Sequence, residues 1–167
     1  MGLIDNIKNI SEKGNLIDKK SRLLKSFLQK GFPTIKDEEW KYTSLKKIVN
    51  DDFAIEESGS NILESDIEKY TLGFEHKIIF IGGVLISKPN ISGVSISDFS
   101  NFESKNNDAI SELNYALAKK GFTITIEDNT IVESPIEILF FSNTKNNNFS
   151  QYRNKINVGN NAQIKFV

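Results

Sequence analysis

The feature that most constrains this chain is its last third, where short apolar runs alternate with corner residues. Phe122-Thr-Ile-Thr-Ile126 alternates apolar and polar side chains, the period of a half-buried strand. Ile136-Glu-Ile-Leu-Phe-Phe141 follows a corner at Ser134-Pro135. Lys155-Ile-Asn-Val158 comes next, then the corner Gly159-Asn-Asn161 and a final run, Ala162 to Val167. Strands separated by tight corners wind into a parallel β-helix or pack as a sandwich, and spacing alone leaves both open. The strict six-residue recurrence of a left-handed hexapeptide helix is absent. Ile164, Phe166 and Val167 have no closing polar segment after them, and an apolar strand needs a partner along its edge. The expectation is a piece of a larger protein.

Composition narrows the function classes. With 167 residues, 38% of them hydrophobic and 12 of them Phe, the chain can bury the core of one domain, or one and a piece. Its 21 basic and 22 acidic residues leave a net charge of -1, so nothing electrostatic favours nucleic acid or an anionic membrane. The absence of cysteine excludes disulfides, thiol nucleophiles and thiolate metal sites. The segment Met1 to Asn6 lacks the basic lead and apolar run of a signal peptide, and no stretch reaches the length of a membrane span. A cytoplasmic location is expected.

Leu3, Ile4, Ile7 and Ile10 recur at three and four, which predicts a short amphipathic helix over 3–12, broken by Gly14-Asn15. Leu16, Leu23, Leu24, Phe27 and Leu28 form a second stripe that ends at Gly31, a suitable C′ residue. Phe32-Pro33 then requires an extended exit. Over 33–53, Asp37 can cap a short turn carrying Glu38, Glu39 and Trp40, and Thr43 or Ser44 can cap a helix through Ile48. Trp40 and Tyr42 read as anchors of the helical region to its neighbour, or else as a binding surface. Residues 56–66 read as a polar loop. His76 to Ile81, Gly82-Gly83 and Val84 to Ile86 predict a hairpin, and Val94 to Ser97 another short strand. Asp108 can cap a helix burying Ala109, Ile110, Leu113, Ala116 and Leu117 and ending at Gly121. Asn143 to Asn148 reads as a loop.

Catalytic chemistry is hard to find. His76 is the single histidine, too little for a conventional zinc site without cysteine. Asp37, Glu38 and Glu39 are consecutive carboxylates without the helix-face spacing of an acid/base pair. Gly82-Gly83 lacks the spacing of a phosphate loop. No Gly-x-Ser-x-Gly nucleophile motif occurs. A β-helix enzyme acting on polysaccharide would need clustered acids. Glu127, Asp128, Glu133 and Glu137 fall at or near corners, without a catalytic partner. No catalytic, cofactor-binding or metal-binding residue is assigned.

Two segments carry a resemblance. Gly31-Phe-Pro-Thr-Ile-Lys-Asp-Glu-Glu-Trp-Lys-Tyr-Thr-Ser-Leu45 resembles the amino-terminal signature of the SufD family of iron–sulfur cluster assembly proteins, part of the wider SufB/SufD family. Leu113 to Ile126, Ile131 to Ile138 and Arg153 to Ile156 are similar to that family's approach to its β-helix core. The resemblance implies an α+β chain: an amino-terminal helical and mixed region over 1–121, then the first rungs of a right-handed parallel β-helix, truncated, over 122–167. It implies the amino-terminal part of a non-catalytic scaffold subunit of a SufBCD complex, with a SufB-like subunit and a SufC-like ATPase as partners. The iron–sulfur cluster would be handled by the parent complex, with no cofactor in this chain. Phe32, Pro33, Glu39, Trp40, Tyr42, Leu45, Phe122, Ile124, Ile126 and Pro135 are then the structural or docking candidates. A stand-alone interaction module is the alternative.

Overall fold

The computed structural model describes residues 2–13, 16, 18–55, 62, 64–81, 84–98, 108–142 and 147–167. Its helices are α1 (Leu3–Glu12), α2 (Asp18–Lys30), α3 (Lys46–Asn50), α4 (Glu64–Glu68) and α5 (Ala109–Leu117), with a 3₁₀ turn at Glu38–Trp40. Its strands are β1 (His76–Ile81), β2 (Val84–Ser87), β3 (Val94–Asp98), β4 (Lys120–Ile126), β5 (Ile136–Phe141) and β6 (Tyr152–Val158). The Gly14-Asn15 break, the Gly82-Gly83 turn, Glu56 and Glu57, and residues 143–146 of the expected loop lie outside the described residues. Among the described residues no helix is long and apolar enough to cross a membrane.

The chain forms two compact units, each assembled from separated stretches. The first comprises Met1–Glu57, Glu103–Ala118 and Lys145–Gln151; the second comprises Ser58–Phe102, Lys119–Thr144 and Tyr152–Val167. The single boundary expected between 121 and 122 is contiguous along the chain, whereas these units interleave.

The first unit is helical because its apolar residues recur at helical spacing. Leu3 and Ile7 of α1, Leu24 and Phe27 of α2, and Leu113, Ala116 and Leu117 of α5 form one buried cluster. Each of the larger side chains contributes on the order of 2 kcal/mol by leaving water. Gly31 ends α2 at φ +75°, donating its N–H to the Phe27 carbonyl at 2.7 Å. This is an αL C-cap, and Phe32 adds its hydrophobic contact, edge-on to Phe27 with ring centroids 4.9 Å apart. Asp108 caps α5, accepting from the Ser111 N–H at 2.9 Å and the Ser111 hydroxyl at 2.6 Å. At the other end, the Lys20 ammonium donates to the Ala118 carbonyl at 2.6 Å.

The second unit holds two three-stranded sheets, ordered β2-β1-β5 and β3-β4-β6. Ile78, Phe80, Ile96, Phe122, Ile124, Ile126 and Ile136 form its core. Glu137 is buried with them, its carboxylate accepting from the Thr71 hydroxyl at 2.8 Å and the Leu72 N–H at 2.7 Å. The hairpin and the strand at 94–98 form as the alternation predicts.

These sheets correct the expected right-handed parallel β-helix. A β-helix stacks parallel strands from successive turns, but here each sheet mixes directions. β1 pairs antiparallel with β2 and parallel with β5; β3 pairs antiparallel with β4, which pairs parallel with β6. Neither sheet curls or closes. The antiparallel partners β2 and β3 each occupy an edge that stacked turns would need. Two further details differ. The final run 162–167 forms no strand, only isolated bridges from Gln163 to Ile131 and from Phe166 to Ile136. Gly121 does not end a helix: α5 stops at Leu117, and Gly121 lies inside β4 at φ +146°. Along β4 and β5, Phe122, Ile124, Ile126 and Ile136 are buried, Ile138 is partly so, and Phe140 is 48% exposed, stacked on Phe80.

Candidate functional site

The segment between α2 and α3 shapes two cavities in the first unit, with Phe32 and Pro33 in the walls of both. The αL turn at Gly31 and the extended exit before Pro33 turn the chain away from α2. Asp37 holds the next turn: it accepts from the Thr34 N–H at 2.7 Å and the Thr34 hydroxyl at 3.1 Å. It therefore closes an Asx-type loop backward and makes no side-chain cap on the 3₁₀ turn that follows. The Trp40 N–H donates to the Asp37 carbonyl and the Thr43 N–H to that of Trp40, both at 2.9 Å. Ser44 accepts from the Lys46 N–H at 3.4 Å where α3 begins. The Leu3 N–H, donating to the Asp51 carbonyl at 3.2 Å, ties the far end of α3 to the start of α1.

The two cavities differ in chemistry. The first, about 430 Å³, runs between the 3₁₀ turn and the start of α5. Asp37, Glu38, Glu39 and Asp108 stand on its wall beside Trp40. Lys30 also lines it, but its ammonium lies 2.6 Å from the Glu112 carboxylate. Asp108 stays ionised to unusually low pH, chiefly because the Ser111 hydroxyl hydrogen-bonds its carboxylate. The second cavity, about 360 Å³, is walled by Ile4, Ile35, Leu45 and Val49, with Lys46 as the charged group on its lining.

Six of the residues singled out from sequence fall in this segment, and five line the cavities. Phe32 and Pro33 border both, Glu39 and Trp40 the first, and Leu45 the second. Tyr42 does not join them. It is 92% exposed, with the Lys41 ammonium 5.6 Å from its ring centroid, so it does not act as a buried anchor. Phe122, Ile124 and Ile126 belong to the core of the second unit, and Pro135 is half-buried at the corner before β5. Sequence reasoning missed Ile4, Val49, Asp108 and Ile110 as cavity walls. Asp108 carried a signal, as a cap, but a cap position says nothing of what faces it across a cleft.

Among the described residues, no three His, Asp or Glu side chains gather in a way that would hold a metal ion. The acids a polysaccharide enzyme would use are spent on structure or scattered. Glu137 anchors residues 71 and 72, Asp128 accepts from the Asn160 N–H at 2.7 Å, and Glu127 and Glu133 are exposed.

The geometry defines a class: a helical unit with a cleft-bearing loop, interleaved along the chain with a unit of two open mixed sheets. No family model matches the chain, and no curated protein matches it. The SufD and SufBCD identity expected from the signature segments thus finds no match, and the parallel β-helix that accompanies it is replaced by the two open sheets.

Proposed function

We propose that this chain is the amino-terminal part of a non-catalytic scaffold subunit in a cytoplasmic iron–sulfur cluster assembly complex. Its partners are a SufB-like subunit and a SufC-like ATPase, and the cluster is the cargo of the complex. The observation that carries the reading is the signature 31–45, whose residues Phe32, Pro33, Glu39, Trp40 and Leu45 are those the cleft is built from. Its role here is positional, and the chain contributes no reacting group.

The test uses immobilised SufB-like and SufC-like subunits from the source cell, with retention of this chain measured by quantitative blotting. A paired assay follows cluster-dependent enzymes in cells that lack the gene. Retention with loss of cluster-dependent activity is the expected outcome. Full activity in the deletion strain would overturn the reading. Because the cleft is well formed within the helical unit itself, a stand-alone interaction module is the second reading; retention failure with an otherwise functional cleft would favour it.

A further inference from the structure

We propose that residues 64–73 form a strap that the Glu137 carboxylate latches shut and that opens as a unit while the two sheets stay folded. The inference concerns the second unit alone and is independent of the assembly reading. Ile136 and Ile138 of β5 turn toward the core, so the alternation of a strand places Glu137, Leu139 and Phe141 on the opposite face. β1 runs parallel to β5 with Ile79 beside Leu139 and Ile81 beside Phe141, so that face carries an apolar stripe next to the carboxylate. The strap lies against it. The Tyr70 ring meets Phe141 edge-on, with centroids 6.0 Å apart. Each oxygen of Glu137 takes one bond from the strap: Oε2 accepts from the Thr71 hydroxyl and Oε1 from the Leu72 N–H.

Little else fastens the strap. Among the described residues, no backbone–backbone hydrogen bond joins 64–73 to the rest of the chain. The Lys69–Asp66 ion pair and the bond from the Tyr70 N–H to the Ile67 carbonyl both close within it. α4 has five residues, too few to hold a helix by itself. Tyr70 and Leu72 stand 68% and 71% exposed, so the strap gains little from apolar burial. Gly73, at φ +85° with open space around it, is a pivot at the end nearer β1. A carboxylate suits a reversible latch. Closed, it is buried with both oxygens bonded; open, water takes over those bonds. Opening uncovers Glu137 together with the stripe of Ile79, Ile81, Leu139 and Phe141, and leaves the core on the other face untouched.

Native-state hydrogen exchange of the whole chain tests the latch, followed by NMR at two amides. The Leu72 N–H is the one bonded to Glu137, and Ile124 lies in β4, the central strand of its sheet. Local opening predicts that Leu72 exchanges at least about tenfold faster than Ile124. Its rate should stay nearly flat in low urea while that of Ile124 climbs steeply, because opening the strap exposes far less surface than unfolding. Thr71→Val removes one of the two latch bonds and should speed Leu72 exchange about fivefold. Leu72 exchange that matches Ile124 in rate and urea dependence overturns the proposal, since the strap then opens only when the whole unit unfolds. Exchange as fast as in an unstructured peptide overturns it too, since the strap would never be shut. So does a Leu72 rate indifferent to Thr71→Val.

Discussion

The Lys30 ammonium lies 2.6 Å from one carboxylate oxygen of Glu112, joining the last turn of α2 to the first turns of α5. Glu112 is only 7% exposed, and its other carboxylate oxygen is buried without a hydrogen-bond partner. Removing the lysine therefore leaves a charge in a poorly solvated place, the costly half of breaking an ion pair. Because Lys30 is itself nearly half exposed, the penalty falls below that of a fully buried pair. Lys30→Met should lower unfolding stability by about 2 kcal/mol and the thermal midpoint by about 4–8 °C. The double variant Lys30→Met, Glu112→Leu should recover most of that loss. Urea titrations of the wild type and both variants measure it.

Asp108→Ala should cost about 1 kcal/mol, since the Ser111 N–H loses its acceptor at the start of α5. The effect depends on pH with a definite sign. The folded-state carboxyl titrates below its ordinary range, so its contribution is complete above the unfolded-state value and is lost as pH falls through the folded-state value. The gap between wild type and variant should be widest near neutrality and close only on acidification below the ordinary aspartate range. Paired unfolding curves across that range check it. A gap that widened on acidification would contradict the assignment.

Gly121 and Gly73 make a matched pair for backbone strain. Both have positive φ, +146° and +85°, but only Gly121 is crowded: a β-carbon there would collide with the Arg153 carbonyl of the neighbouring strand β6. Around Gly73 there is open space. Gly73→Ala should cost only the conformational penalty, about 1–2 kcal/mol. Gly121→Ala must also push β4 from β6 and should cost at least about 3 kcal/mol. Differential scanning calorimetry of the two variants should rank them in that order by midpoint.

β6 is an edge strand of the β3-β4-β6 sheet, with Ile156 44% and Val158 53% exposed. Such an edge recruits further strands. Sedimentation velocity across a concentration series should show self-association of the isolated chain. Val158→Lys should return it to monomer by setting a charge on the edge. A wild type that stays monomeric at every concentration would show the edge to be protected.

Local rules were readable wherever a residue's partner lies within a few positions. The helical stripes of α1, α2 and α5, the αL cap at Gly31, the Asp108 cap and the hairpin of β1 and β2 all followed from periodicity and capping chemistry. Asp37 illustrates the limit even at short range. Its carboxylate had two nearby uses, capping forward or closing a loop back to Thr34, and the backward bonds won. Gly121 failed for the opposite reason: its role is set by Arg153, far along the chain on another strand.

Sequence by itself determined which faces of this protein are apolar, because side-chain spacing alone states the period of a helix or strand. It also marked 31–45 as a special segment. Only the tertiary structure decided how the strands pair, since alternation is the same for parallel and antiparallel neighbours and a strand carries no local record of its partner's direction. That freedom is why an expected parallel stack became two mixed sheets. The cleft had the same origin: Ile4, Ile35, Val49 and Asp108 meet around Phe32 and Pro33 only after α1, α3 and α5 have packed.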